Sequence, residues 1–147
     1  MLRHLIAEKG GEEEGEYDGS KEGAGGQRGG IVIHCTAGKD RTGLLSALLL
    51  SLACWSDAAI ADEYALTEVG LGPLREELVR RLLEKPVLAG DEAGVRNMVG
   101  SKRENMLASL EMVRSDFGGW EAYVREKCGL GEGELDRLRR RVRGVGE

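Results

Sequence analysis

Residues 34–43, with the sequence HCTAGKDRTG, constrain the fold of this chain more than any other segment because two apolar runs flank them. The run before the loop, from Ile31 to His34, is typical of a short, fully buried strand of a parallel sheet. The run after it, from Thr42 to Cys54, is typical of a buried helix. A polar, glycine-containing loop that opens a helix can direct its backbone N–H groups at one point, where an anion binds. The sequence therefore predicts an anion-binding loop that suits a phosphate dianion.

The predicted loop carries its own nucleophile. The helix N-terminus, Lys39 and Arg41 favour the ionised form of Cys35, so we expect its pKa to lie well below the usual value of about 8.5. Arg41, six positions after the cysteine, has a planar guanidinium group that can bind two phosphate oxygens. We therefore expect Cys35 to attack phosphorus and form a cysteinyl-phosphate, which water then hydrolyses.

The remaining loop residues have supporting roles in this prediction. Asp40 is the only carboxylate in the loop and is the expected general acid for the leaving oxygen. The Thr42 hydroxyl can donate to the Cys35 sulfur, and His34 is expected to orient the loop backbone. Lys39 either adds charge for a single phosphate or reaches a second phosphate, as in a phosphoinositide. The residues expected to bind phosphate are Thr36, Ala37, Gly38, Lys39, Asp40 and Arg41.

This loop resembles the signature of the cysteine-dependent phosphatases, which is histidine, cysteine, five residues and arginine. The variant with Lys-Asp before the arginine is similar to that of the atypical tyrosine and serine phosphatases of fungi and bacteria, some of which also accept phosphoinositides. Residues 62–68, 105–107 and 117–119 resemble the C-terminal half of the same family. The resemblance implies a protein tyrosine phosphatase, with dual tyrosine and serine specificity or phosphoinositide hydrolysis as narrower alternatives.

Other anion-binding or metal-binding motifs fit the loop less well. A nucleotide-binding P-loop needs glycine at position 33 and serine or threonine at position 40, where the chain has Ile33 and Asp40. A zinc site needs further ligands at short spacing, but Cys54, Cys128 and His4 stand alone. Rhodanese and arsenate-reductase loops also begin with cysteine, but do not usually read Gly-Lys-Asp-Arg-Thr-Gly. We therefore expect neither a metal nor another cofactor.

Composition narrows the class of protein further. A formal net charge of −5 argues against a general nucleic-acid binder. Three cysteines without paired spacing suit a reducing compartment, so a cytoplasmic location is expected. The longest apolar run, from Leu44 to Trp55, is far shorter than the roughly 20 residues that span a bilayer. The expected partner is a phosphorylated protein or a phosphoinositide substrate, with no nucleic acid and no transmembrane segment.

The chain divides into two predicted parts. Residues 1–30 are expected to contain the end of a helix and a flexible insertion rich in glycine and glutamate. Residues 31–147 are predicted to form the C-terminal part of a phosphatase domain with an α/β fold, in which one central strand precedes a helical bundle. Helices are predicted at 42–54, 57–69, 73–85, 102–117, 120–127 and 132–143.

A single strand makes an incomplete sheet, because both of its edges need partners. The resemblance implies further strands before the loop, which this sequence does not contain, and a Trp-Pro-Asp acid loop that cannot be assigned. Trp55-Ser56-Asp57 is interpreted as a helix end and a cap, about 20 Å from the loop. We therefore expect a fragment of a longer phosphatase that needs the missing N-terminal half. The alternative is a truncated, inactive remnant that acts at most as a phosphate-binding module.

Overall fold

The computed structural model describes residues 31–144, and the regular structure in this range is helical throughout. Eight α-helices follow one another with short connections, and one turn of 3₁₀ helix at Gly72–Leu74 joins the third to the fourth. The helices are α1 (Asp40–Leu52), α2 (Asp57–Ala65), α3 (Thr67–Leu71), α4 (Arg75–Leu83), α5 (Glu92–Val99), α6 (Arg103–Phe117), α7 (Trp120–Glu126) and α8 (Glu132–Val142).

The predicted strand from Ile31 to His34 is wrong, because these residues form no regular structure. The side chain of Val32 is almost fully exposed, and that of Ile31 is exposed as well. A strand needs a neighbouring strand to pair its N–H and C=O groups, and residues 31–144 offer none. The apolar pattern alone therefore did not produce a strand. The described fold is a helical bundle, and the prediction of an α/β fold with an incomplete sheet is overturned.

Residues 1–30, which were predicted as a helix end and a flexible insertion, lie outside the described residues.

Helix α1 is the centre of the described core because it contributes to two apolar clusters. Leu48 and Leu52 pack with the C-terminal helices α7 and α8. Ala47, one residue before Leu48, packs with α2 and α6. The partners in the first cluster are Val124, Leu130, Leu135 and Leu138, and those in the second are Ile60, Ala61, Tyr64, Met106 and Leu110. The predicted buried helix after the loop is thus confirmed, and its second half is packed on two sides.

Gly43, in the first turn of α1, lets this helix approach α2 closely. A Cβ atom at this position would lie 2.7 Å from the ring of Tyr64, which is buried. A carbon at that distance would force the ring or the helix to move. The glycine therefore sets the position of the first turn of α1, and with it the residues that precede the helix.

The α4–α5 hairpin, defined here as residues 75–99, has a small core of its own. Val79 on α4 packs against Val95 and Val99 on α5. Its outer surface carries ion pairs such as those of Arg80 with Glu77 and Glu84. Helix α5 was not predicted from the sequence.

Local signals account for the helix ends that were predicted correctly. The Ser56 hydroxyl accepts a hydrogen bond from the Ala59 N–H at 3.3 Å, as an N-cap does. Gly118 ends α6 with φ of 72°, in the left-handed region that favours glycine. The spacing Ser101-x-x-Glu104 is that of a capping box and predicts a helix start here, but the capping box does not form, because α6 has no side-chain N-cap.

Candidate active site

The segment from His34 to Lys39 leads directly into α1, which begins at Asp40. Gly38 has φ of 69°, a backbone conformation that residues with a Cβ atom rarely adopt. The first turn of the helix closes where the Gly43 N–H donates to the Lys39 carbonyl at 2.8 Å. The backbone N–H groups of Gly38 and Lys39, at the start of this turn, lower the pKa of Cys35 by hydrogen bonding. The structure therefore gathers loop amides around the cysteine.

Hydrogen bonding stabilises the ionised form of Cys35, whose side chain is half-buried. The Thr42 hydroxyl and then the Thr42 backbone N–H lower the pKa of this thiol to about 6, with smaller contributions from the N–H groups of Lys39 and Gly38. Partial burial opposes them by raising the pKa. At neutral pH the thiolate therefore predominates. The sequence correctly predicted a lowered pKa for Cys35, but it attributed the shift mainly to the helix N-terminus and the charges of Lys39 and Arg41. In the structure, hydrogen bonds from Thr42 are the largest cause of the shift.

The Thr42 hydroxyl is a buried hydrogen-bond donor beside Cys35. This hydroxyl is buried, and it lies outside ordinary hydrogen-bond geometry from every acceptor in residues 31–144. It is nevertheless close enough to the sulfur to be the largest single influence on the pKa of the thiol. A buried hydroxyl without a partner costs about 1–3 kcal/mol. Because a thiolate accepts hydrogen bonds more strongly than a thiol, we expect ionised Cys35 to be the acceptor for this hydroxyl.

Arg41 folds back over the loop. Its Nη2 donates to the Thr36 hydroxyl at 3.1 Å, and its side chain is exposed. A guanidinium group has five N–H donors, so this contact leaves others to bind an anion. The exposed His34 ring places Nδ1 3.3 Å from the Cys35 carbonyl oxygen, where the tautomer with hydrogen on Nδ1 donates to the loop backbone.

The Lys39 side chain points into the protein. Only 6% of the residue is exposed, and its Nζ donates to the Gly100 carbonyl at 3.1 Å and to Asp40 Oδ1 at 2.5 Å. The Asp40 side chain is 72% exposed, so its other oxygen is accessible to a bound substrate. The structure thus directs Lys39 at the connection between α5 and α6, which sequence reasoning did not associate with the loop.

Sequence reasoning did not connect four residues with this site: Glu68, Arg75, Gly100 and Ser101. Glu68 Oε1 accepts a hydrogen bond from the Ser101 N–H, and Glu68 Oε2 accepts one from Arg75 at 2.8 Å. Gly100 supplies the carbonyl for Lys39. The Glu68–Ser101 and Lys39–Gly100 contacts join positions 33 and 61 residues apart, so no local pattern could have indicated them.

Within residues 31–144, no group of three or more histidine, cysteine, aspartate or glutamate residues is arranged to hold a metal ion. None of the described helices has the length and apolar character needed to cross a membrane.

Comparison with known proteins identifies the same family that the loop sequence resembles. A family model described as the tyrosine phosphatase family matches residues 21–144. A tyrosine-protein phosphatase of Nostoc commune is 31% identical over 121 residues, which cover 79% of this chain and 40% of the relative. The triple specificity protein phosphatase PtpB of Mycobacterium tuberculosis is 23% identical over 117 residues, which cover 74% of this chain and 42% of the relative. The chain thus spans about two fifths of the length of these curated relatives. No solved structure matches.

Proposed function

Since this chain belongs to the tyrosine phosphatase family, we propose that it is a cysteine-dependent phosphomonoesterase that hydrolyses phosphotyrosine through a cysteinyl-phosphate intermediate. Membership confirms the family predicted from residues 34–43. The observation that carries the proposed mechanism is the Cys35 thiol, whose pKa of about 6 favours the nucleophilic thiolate at neutral pH. Arg41, within the same loop, supplies a guanidinium group for the phosphate oxygens.

In the first step, the Cys35 thiolate attacks phosphorus while the bond between phosphorus and the leaving oxygen breaks. Asp40 gives its proton to that oxygen, so the product leaves as a neutral alcohol or phenol. Arg41 and the loop N–H groups bind the three other phosphate oxygens, on which charge is spread in the transition state. This step leaves the phosphoryl group on sulfur and Asp40 as a carboxylate.

In the second step, a water molecule attacks the cysteinyl-phosphate. The Asp40 carboxylate accepts a proton from the water, the sulfur–phosphorus bond breaks, and the thiolate leaves. The Thr42 hydroxyl supports this departure because it gains an acceptor when the sulfur becomes charged. Inorganic phosphate is released, and Cys35 and Asp40 return to the states in which the cycle began.

The direction of the Lys39 side chain favours a substrate with a single phosphate. Its Nζ is engaged with the Gly100 carbonyl and with Asp40, in a buried position. An ammonium group held in this way does not extend toward a second phosphate, as a phosphoinositide would require. Both relatives are named as protein phosphatases, which also supports a phosphorylated protein as the substrate class.

The test is hydrolysis of para-nitrophenyl phosphate by the protein in the presence of a chelator. We expect turnover that orthovanadate blocks, and we expect Cys35→Ser to abolish it while vanadate still binds, because a serine hydroxyl is not ionised at neutral pH. Cys128→Ser is the matched control, since Cys128 is an exposed free cysteine outside the loop, and it should retain activity. Full activity in Cys35→Ser would overturn the covalent mechanism. Vanadate binding without any turnover in the wild-type protein would indicate a phosphate-binding module instead.

A further inference from the structure

The peptide group between Gly100 and Ser101 lies between two oppositely charged side chains. Its carbonyl oxygen, on Gly100, accepts a hydrogen bond from Lys39 Nζ at 3.1 Å. Its N–H, on Ser101, donates to Glu68 Oε1. The ammonium group is therefore at the negative end of the peptide dipole and the carboxylate is at its positive end. Each contact polarises the peptide group in the direction that strengthens the other.

Burial makes this arrangement costly to disrupt. Lys39 is 6% exposed and Ser101 is 1% exposed, so water cannot replace their partners without a rearrangement. The Glu68 carboxylate is in turn held by Arg75, whose Nη1 donates to Oε2 at 2.8 Å. The result is a continuous line of charge-assisted hydrogen bonds from Arg75 to Lys39, in which the Gly100–Ser101 peptide group is the central member.

Glycine at position 100 is what allows the carboxylate to reach the peptide group. A Cβ atom there would lie 3.0 Å from Glu68 Oε1 and 3.3 Å from the Asn97 carbonyl oxygen. Both contacts are tighter than ordinary van der Waals contact, so a larger residue would displace Glu68 from the Ser101 N–H.

The line of hydrogen bonds ends on a residue of the phosphate loop. Lys39 anchors its side chain on Gly100, and it also directs its backbone N–H at the Cys35 sulfur. Restraining the side chain of Lys39 therefore restrains the position of a donor to the nucleophile. Glu68 touches neither Cys35 nor Arg41 in the contacts of the described residues.

We propose that Glu68 is a positioning residue of the phosphate loop: it orients the Gly100–Ser101 peptide group, which holds Lys39 in place. The inference rests on the proposed function, because it concerns the loop that is proposed to carry the reaction. Glu68 would thus affect Cys35 without touching it, through the Gly100–Ser101 peptide group and the Lys39 side chain.

The test is the rate at which iodoacetamide alkylates Cys35 as a function of pH, measured on the full chain. The Cys35-containing peptide is followed by mass spectrometry, since Cys54 and Cys128 are also free thiols. The variants are Glu68→Ala, which removes both acceptor oxygens, and Glu68→Gln, which keeps one acceptor for the Ser101 N–H. Glu76→Gln is the matched control, because it breaks an exposed ion pair with Arg96 on the α4–α5 hairpin.

We expect the midpoint of Cys35 alkylation to move to higher pH in Glu68→Ala and by a smaller amount in Glu68→Gln, with no change in Glu76→Gln. We expect kcat/KM for an aryl phosphate to fall roughly 10-fold in Glu68→Ala because the nucleophile and its donors are less well aligned. Wild-type alkylation midpoints in both Glu68 variants would overturn the proposal, even if their thermal stability fell, because a purely structural residue gives that result. Where Glu68→Ala does not fold, the Glu68→Gln midpoint decides.

Failure of this inference is distinguishable from failure of the proposed function, because alkylation requires no substrate. A shifted midpoint in a protein that hydrolyses no phosphomonoester would support the positioning role and contradict the phosphatase proposal. Normal phosphomonoester hydrolysis with an unshifted alkylation midpoint would support the phosphatase proposal and contradict the positioning role of Glu68.

Discussion

The side chain of Lys39, which ties the loop of residues 34–39 to Gly100, and the ion pairs of the α4–α5 hairpin place charged groups in opposite surroundings. The Lys39 ammonium is buried, and its partners are the carbonyl of buried Gly100 and the exposed carboxylate of Asp40. On the hairpin, the paired side chains of Arg80 and Glu77 are 60% and 40% exposed. Water and salt screen exposed ion pairs, so they contribute little, whereas a buried charge that loses its partner is costly. The number of ion pairs in a region therefore says little about how much that region depends on them.

The two regions also differ in what holds them together. The hairpin has an apolar cluster of Val79, Val95 and Val99, so its packing does not depend on charge. The loop has Gly38 and polar residues, and hydrogen bonds fix its shape. Substitutions in the loop should therefore affect activity strongly, and substitutions of hairpin charges should affect neither activity nor stability to a comparable degree.

The largest expected effect is that of Arg41→Lys. A lysine ammonium cannot bind two phosphate oxygens with parallel N–H groups, so the transition state loses a two-point contact. We expect kcat for an aryl phosphate to fall roughly 10³–10⁵-fold, the range known for arginine groups in phosphoryl transfer. Arg80→Lys, the same change on the exposed hairpin, is the control and should leave kcat unchanged. A wild-type rate in Arg41→Lys would remove Arg41 from the proposed mechanism.

The next effect is that of Asp40→Asn, and it should depend on the leaving group. A poor leaving group needs a proton as the bond to phosphorus breaks, whereas a good one leaves unassisted. Where the first step limits the rate, we expect a loss of roughly 10²–10⁴-fold for an alkyl phosphate or phosphotyrosine. The loss for an activated aryl phosphate should be much smaller.

The rate losses of Asp40→Asn on the two kinds of substrate distinguish the possible roles of Asp40. Equal losses on both substrates would contradict its role as the acid in the first step and point to water activation or to a damaged loop. No loss on either substrate would assign the proton donor to another residue. Asp62→Asn, on the exposed surface of α2, is a suitable control, because Asp62 pairs with Arg103 there.

The smallest effect is expected on the hairpin, for Glu77→Gln. Hydrogen bonds from Arg80 and then from Arg81 lower the pKa of Glu77 to about 2. Its contribution to stability is therefore present above the usual glutamate pKa of about 4.3 and is lost as the pH falls toward 2. At pH 7 we expect the midpoint of thermal unfolding to fall by less than about 4 °C, since the pair is exposed. The difference from the wild type should disappear near pH 2, and kcat/KM at pH 7 should not change. A large loss of activity would contradict the contrast between the two regions.

Sequence reasoning succeeded where the determining residues are adjacent in the chain. The helix after the loop, the Ser56 cap and the Gly118 stop all depend on a few consecutive residues, and the structure has each of these helix boundaries near its predicted place. Helix α5 was missed although a local signal exists: the Asp91 side chain caps it, and Val95 and Val99 follow on one face.

Sequence reasoning failed where the outcome depends on distant residues. Ile31 to His34 have the composition of a strand, but strand formation depends on a partner that residues 31–144 do not provide. Ser101 matched a capping box, but its backbone N–H binds Glu68 across the fold. The direction of Lys39 was left open for the same reason, because the carbonyl that holds it comes from Gly100.

The central claim is that Cys35 carries the phosphoryl group during turnover, and chemical trapping tests it most directly. The protein is mixed with radiolabelled phosphotyrosine peptide, quenched in acid during the first turnover, and digested for mass spectrometry. We expect label on the peptide that contains Cys35, with phosphate attached to sulfur, and no label in Cys35→Ser. Turnover in which Cys35 stays unmodified, or label on another residue, would rule out the covalent mechanism.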